Sequence, residues 1–219
     1  MRRTPPARLW RATFAVVGWA ALALQYVLMV GPAEPGDVAG LTVNFFSFFT
    51  ILTNVLVAAA FTGPLLSPGS RLARWSASEG VRAAVAMYIV VVGVVYHLLL
   101  HPYWSPTGWS LAVNVVLHYV MPAAFVLDWL WFTPKGRLRW IDPVKWLAFP
   151  LVYGGWTLVH GLATHWWPYG FVNVDQLGLG RVVAIFGGLL MFFLLVGLSL
   201  TGLDRLFARA ARDSSASAL

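Results

Sequence analysis

Thr50 and His118 are the residues of this chain whose types and placement best suit chemistry. A threonine hydroxyl is a weak nucleophile at neutral pH and needs a neighbouring base to take its proton. A neutral imidazole fits that role and, once protonated, can pass the proton to a leaving alkoxide. Thr50 lies in an uncharged apolar run, Leu41 to Leu66, and His118 in a second run over 109–132. Counted at ~1.5 Å per helical residue from Thr42 and Trp109, Thr50 lies ~12 Å and His118 ~13 Å into these runs. A hydroxyl and an imidazole at one level suggest nucleophilic acyl transfer. Ser47, Thr50 and Asn54 fall on one face of a continuous helix, and Asn114 lies one turn before His118. Asn54, Asn114, Ser47 and His160 are thus candidates for meeting an oxyanion or positioning a substrate. No carboxylate lies at that level, so a Thr/His dyad is expected rather than a triad. Phe45, Phe46 and Phe49 would line an acyl chain.

Each residue also has a plainer reading. A threonine in an apolar helix commonly bonds its own preceding carbonyl. Asn44, Asn54 and Asn114 commonly tie helices together, and a membrane histidine commonly serves as a structural partner. Asp128, next to Trp129, reads as a solvated or snorkelling end residue, and Glu34, Asp37 and Asp175 as loop residues in water.

The elements that must hold these side chains follow from composition. The chain has 219 residues, 59% hydrophobic and only 11% charged, with a mean hydropathy of +0.74. A water-soluble domain of this size could not hide so much apolar surface, so an all-α, polytopic integral membrane protein is expected. Six segments are long enough to span a ~30 Å hydrocarbon core: 12–31, 42–66, 82–101, 109–132, 144–164 and 181–203. The implied organisation is a terminus over 1–11, a six-helix transmembrane domain over 12–203 and a disordered tail over 204–219.

Positive charge sets the orientation. Arg2, Arg3, Arg8 and Arg11 precede the first segment, and Arg71, Arg74 and Arg82 flank the second connection. Lys135, Arg137, Arg139 and Lys145 occupy the fourth, and Arg205, Arg209 and Arg212 follow the last segment. The alternate connections carry almost none, which places both termini in the cytoplasm. The net charge of +7 is scattered between apolar runs, so it reads as topology rather than as a nucleic-acid-binding face. Arginine in excess of lysine, with abundant Ala, Gly and Val, suggests a GC-rich bacterial genome and hence the bacterial cytoplasmic membrane. Pro122 and Pro150 are expected to kink the fourth and fifth segments. No cysteine is present, so thiol chemistry and disulfides are excluded, and neither an internal repeat nor a phosphate-binding loop is seen.

The remaining histidines allow a rival. His97 and His160 fall at similar depth on different segments and could be axial ligands of a haem in an electron carrier. His97 and His101, at i and i+4, could share a metal, though no acidic ligand is near. A non-catalytic lipid-binding protein is the third possibility. The hydrolase reading needs no metal and no cofactor.

Three phrases, in order, resemble the androgen-induced/ADTRP-like family of membrane hydrolases, including its prokaryotic six-span relatives. They are Phe48-Phe49-Thr50; Asn114-Val-Val-Leu-His118 followed by Pro122; and Trp156-Thr-Leu-Val-His160 followed by Trp167-Pro168-Tyr169. The resemblance runs from about residue 44 to 172. It implies a threonine hydrolase that cleaves esters of fatty acids with hydroxy fatty acids inside the membrane, with Thr50 as nucleophile and His118 as base. His160 matches a family position near the outer pocket.

Overall fold

The computed structural model describes residues 4–216. Among the described residues the ordered elements are all helical. Arg2 and Arg3, part of the expected positive cluster, and residues 217–219 of the expected tail lie outside them. The helices are α1 (Pro5–Val30), α2 (Val38–Phe46), α3 (Phe49–Thr62), α4 (Arg71–Ala77), α5 (Glu79–Val95) and α6 (Gly108–Val115). They continue with α7 (Met121–Phe132), α8 (Asp142–Trp146), α9 (Ala148–Thr164), α10 (Val174–Leu177) and α11 (Leu179–Ala216). A π-helical turn, Tyr96–Leu100, extends α5, and another, Val116–Val120, joins α6 to α7.

Among the described residues, four helical stretches are long and apolar enough to cross a membrane: Pro5–Val30, Glu79–Tyr103, Gly108–Phe132 and Leu179–Asp213. The pair Val38–Phe46 and Phe49–Leu65, bent by 70°, makes a fifth if it is counted as one crossing. The segment expected over 144–164 divides at Leu147 into α8 and α9. At 17 residues α9 is ~26 Å long, a little under the ~30 Å of a hydrocarbon core. α5 sits at the centre, against α3, α7 and α11; Ala83 through Ile89 are all buried there. Large apolar side chains point outward instead on the flanking helices, among them Val16 and Val27 on α1, Val152 and Val159 on α9, and Met191 and Leu195 on α11. Outward apolar faces around a tightly packed centre suit a hydrocarbon surrounding.

The expected second segment is not one helix. It breaks at Ser47 and Phe48, where Phe48 adopts an extended conformation. The Ser47 hydroxyl donates back to the Val43 carbonyl at 2.8 Å, an arrangement that bends helices. The Ser47 carbonyl, which an unbroken helix would pair with the Ile51 amide, accepts from Tyr153 Oη at 3.0 Å. The Thr50 amide, one of the unpaired donors at the start of α3, is aimed at Tyr169 Oη at 3.3 Å. Side chains from α9 and the loop after it thus take the backbone groups that the break releases.

Asp128 is a correction. It is fully buried between two equally buried arginines, Arg11 and Arg82. Arg11 Nε meets Asp128 Oδ1 at 2.8 Å, and Arg82 Nη2 bonds Asp128 Oδ2. Arg82 also donates to Thr133 Oγ1 at 2.9 Å and to the carbonyls of Ala60 and Ser76. The cluster binds α1, α5 and α7 at the end of the bundle opposite the α2–α3 break. Burial without water is tolerable for a carboxylate only when cations and donors surround it, as here.

Pro122 and Pro150 act differently from each other. Pro122 has no amide hydrogen for the His118 carbonyl, and the helix widens into a π turn immediately before it. Pro150 is the third residue of α9, in the first turn, where the missing N–H costs nothing. Within the stretch expected as a tail, α11 runs on to Ala216, in keeping with residues 205–211 being mostly arginine, alanine and leucine, strong helix formers.

Candidate functional site

Three elements converge on Thr50. The first turn of α3 carries Thr50 itself, the π turn between α6 and α7 carries His118, and the loop after α9 carries Tyr169. Thr50 Oγ1 lies 3.4 Å from His118 Nε2 and 3.4 Å from Tyr169 Oη. His118 Nδ1 is 3.0 Å from the Asn114 carbonyl. A carbonyl only accepts, so in the neutral ring Nδ1 carries the hydrogen and Nε2 turns its lone pair on the threonine hydroxyl. That is the tautomer a general base requires.

The imidazole is held from two further sides. Tyr96, in the π turn that extends α5, stacks on it with ring centres 3.9 Å apart and planes at 23°. Asn114 Nδ2 bonds Tyr96 Oη at 2.5 Å, fixing that ring in turn. The two π turns can face each other because Gly93 lies against the His118 carbonyl, where a Cβ would stand at 3.1 Å. π turns inside α-helices recur at functional sites, and here both present ring side chains to one place.

Asn54 is brought to the site in a different role from the one expected. Its Nδ2 donates to the Thr50 carbonyl at 2.9 Å and to the Leu117 carbonyl at 3.1 Å. Both amide hydrogens are used, and a flipped amide would set an oxygen against two carbonyls. Asn54 therefore fixes the spacing between the Thr50 helix and the π turn of His118 and has no donor left for an oxyanion. Asn54→Ala is expected to lose about 1–3 kcal/mol of stability, because two buried carbonyls are deprived of a donor. Thermal unfolding in detergent micelles measures it; an unchanged midpoint would remove this bracing role.

Ser47 and His160 lie elsewhere. The break in the helix turns Ser47 away from Thr50, and its hydroxyl accepts from Trp156 Nε1 at 2.9 Å. His160 Nε2 meets Asn44 Oδ1 at 2.9 Å, and its ring stacks on Trp156. Both tie α2 to α9. His97 pairs with Tyr119 Oη at 3.1 Å and stacks on His101, so the two histidines of the haem reading have separate partners. Among the described residues no three His, Asp or Glu side chains group as a metal site would need.

Two cavities meet at the threonine. One, of about 320 Å³, is lined by Phe45, Phe48, Ile51, Leu117, Asn114 and His118 among others. A narrower one, of about 60 Å³, lies between α5, α9 and α11, walled by Phe49, Val92, Phe186, Leu190 and Phe193. Thr50, Tyr96, Leu100 and Tyr169 border both. Phe45 and Phe49 thus line separate chambers, while Phe46, 48% exposed, points out of the bundle and borders neither.

Tyr169 arrives on a short strap. His165 ends α9 in a left-handed conformation, φ 56°, and its Nδ1 lies 3.2 Å from Asp175 Oδ2. Trp167 Nε1 donates to the same oxygen at 2.8 Å, and this bond first, with His165 second, holds the Asp175 carboxyl below its ordinary pKa. The Trp167 ring lies flat on Gly161, where a Cβ would come within 2.4 Å of it. Tyr169 is then gripped between Phe48, edge-on, and Phe171, parallel at 5.1 Å. Burial pushes the phenol pKa up, so its proton stays on. From residue spacing alone Tyr169 has no role; its only signal is its place in the Trp167-Pro168-Tyr169 turn.

No protein-family model, curated protein or solved structure matches this chain.

Proposed function

We propose that the protein is an intramembrane lipid esterase in which Thr50 attacks the ester carbonyl and His118 serves as base and then acid. The observation that carries this reading is the 3.4 Å approach of Thr50 Oγ1 to His118 Nε2, with the opposite nitrogen anchored on a carbonyl, at the junction of two apolar chambers.

The reaction runs in two halves. Thr50 Oγ bonds to the carbonyl carbon as its proton moves to His118 Nε2. The tetrahedral intermediate collapses, the bond to the alcohol oxygen breaks, and the imidazolium returns the proton to that oxygen. Water, deprotonated by the same nitrogen, then bonds to the acyl carbon; the bond to Thr50 Oγ breaks, the imidazolium returns the proton to that oxygen, and the fatty acid leaves. No metal or cofactor enters these steps. The two chambers favour an ester with an apolar limb on each side of the bond, in keeping with the fatty-acid esters, including those of hydroxy fatty acids, that the androgen-induced/ADTRP-like resemblance implies.

The same reading makes the chain a six-span protein of the bacterial cytoplasmic membrane, with α2–α3 and α8–α9 each forming one broken crossing. Arg8, Arg74, Lys135, Arg139, Arg205 and Arg209 would then share the cytoplasmic side with both termini, and the strap bearing Tyr169 would lie on the outer side. Membrane lipids supply the substrate by lateral entry.

A covalent probe tests the nucleophile. An alkyl fluorophosphonate added to purified protein in micelles should give a single adduct, mapped by peptide mass spectrometry to Thr50. An adduct on another residue, or none, overturns the proposal.

A further inference from the structure

We infer that Tyr169 is a catalytic residue of this site, donating its phenolic hydrogen to the carbonyl oxygen as that oxygen becomes an oxyanion; this rests on the esterase reading above. The developing charge in acyl transfer needs a donor held close to the nucleophile. Tyr169 Oη lies within reach of Thr50 Oγ1, at 3.4 Å, whereas Asn54 spends both amide hydrogens on the carbonyls of Thr50 and Leu117 and Asn114 commits one of its two to Tyr96 Oη. The Thr50 amide is directed at Tyr169 Oη.

That last bond is what suits Tyr169 to the task. Its oxygen accepts the Thr50 N–H at 3.3 Å, so its own hydrogen is turned elsewhere, and accepting a bond polarises the O–H that remains. At rest the hydrogen has Thr50 Oγ1 within reach at 3.4 Å. Once Oγ has bonded to carbon, the former carbonyl oxygen is held beside it, and a rotation about the phenolic C–O bond redirects the hydrogen. No proton leaves Tyr169: the electron pair of the C=O bond moves to oxygen, the phenol stabilises it, and the pair returns when the alcohol departs. The ring cannot drift, since Phe48 and Phe171 hold it and the Trp167–Asp175 bond secures the strap. Tyr169 borders both chambers, as a group placed at the scissile bond must.

The test is Tyr169→Phe, which keeps the ring contacts and removes one hydroxyl. Hydrolysis of p-nitrophenyl decanoate is followed in micelles, with rates normalised to the fraction of Thr50 that a fluorophosphonate finally labels, so that misfolded protein is not counted. Loss of an oxyanion donor lowers kcat by about 10²–10³-fold. Affinity for a decyl trifluoromethyl ketone, which forms an oxyanion on Thr50, should fall in parallel, whereas affinity for a non-reactive decyl ether should hold. A wild-type rate in Tyr169→Phe overturns the inference, as does an equal loss of ketone and ether binding. Either result leaves the esterase proposal standing if wild-type Thr50 is labelled; absence of labelling in the wild type would instead remove that proposal itself.

Discussion

Thr50→Ala is expected to abolish hydrolysis of p-nitrophenyl decanoate, with kcat falling by at least about 10³-fold. Nothing else at the site can replace the hydroxyl: Tyr169 Oη is turned to the Thr50 amide and side chain, and the Ser47 hydroxyl is across the helix break, bonded to Val43 and Trp156. The substitution removes a single partly buried hydroxyl and should leave the fold intact. His118→Ala should cost about 10²–10⁴-fold, the share that a positioned base and acid supplies. The double variant should be hardly worse than Thr50→Ala alone, since a base without its nucleophile has nothing to activate. Thr50→Ser, which keeps the hydroxyl, should recover part of the rate. A Thr50→Ala protein that retains most of the wild-type kcat would end the nucleophile assignment.

The second large effect concerns stability. Asp128→Ala leaves the buried guanidinium groups of Arg11 and Arg82 facing each other without their shared carboxylate, which is expected to cost about 3–5 kcal/mol. Yield of monodisperse protein and the unfolding midpoint in micelles both report it. Asp128→Asn keeps an acceptor but not the charge and should fall between. Replacing all three residues together by Leu and Met of similar volume should restore much of the loss, because the penalty lies in the unpaired charges and not in the missing ion pair. The Ala60 carbonyl in this cluster lies ten residues along α3 from Thr50, about 15 Å away. Whatever fraction of Asp128→Ala folds should therefore be labelled at Thr50 at the ordinary rate. An Asp128→Ala protein as stable as the wild type would show that the cluster contributes nothing net.

Thr50 and His118 could be paired from the sequence because helical rise converts position into depth, and two helices in one bundle share a depth scale. Their neighbours could not be read that way. Ser47 shares a face with Thr50 only if the helix continues, and the hydroxyls that take up the backbone groups at its break, those of Tyr153 and Tyr169, come from more than a hundred residues away. Asn54 looked like a free donor because sequence spacing says nothing about the Leu117 carbonyl that would occupy it. Asp128 reads as solvated in sequence because its partners, Arg11 and Arg82, lie on other helices, where an arginine at a segment end signals topology equally well. Tyr169 carries no periodic pattern, being in a loop, and its position depends on a bond between Trp167 and Asp175. The helical content was legible from hydropathy, but the interruption between α2 and α3 and the widened turns at Tyr96 and His118 were not, since both answer to tertiary contacts.

The packing around the arginine–aspartate cluster has a consequence for traffic. Val57, Ala60, Phe61, Phe125 and Trp129 are all essentially inaccessible, so packed side chains separate the cavities at Thr50 from that end of the bundle. On the proposed esterase reading, a cleaved lipid would leave by the end of the bundle at which the ester entered, and both products would return to the leaflet that supplied it. Such turnover would be non-vectorial, remodelling one face of a bilayer without carrying material to the other.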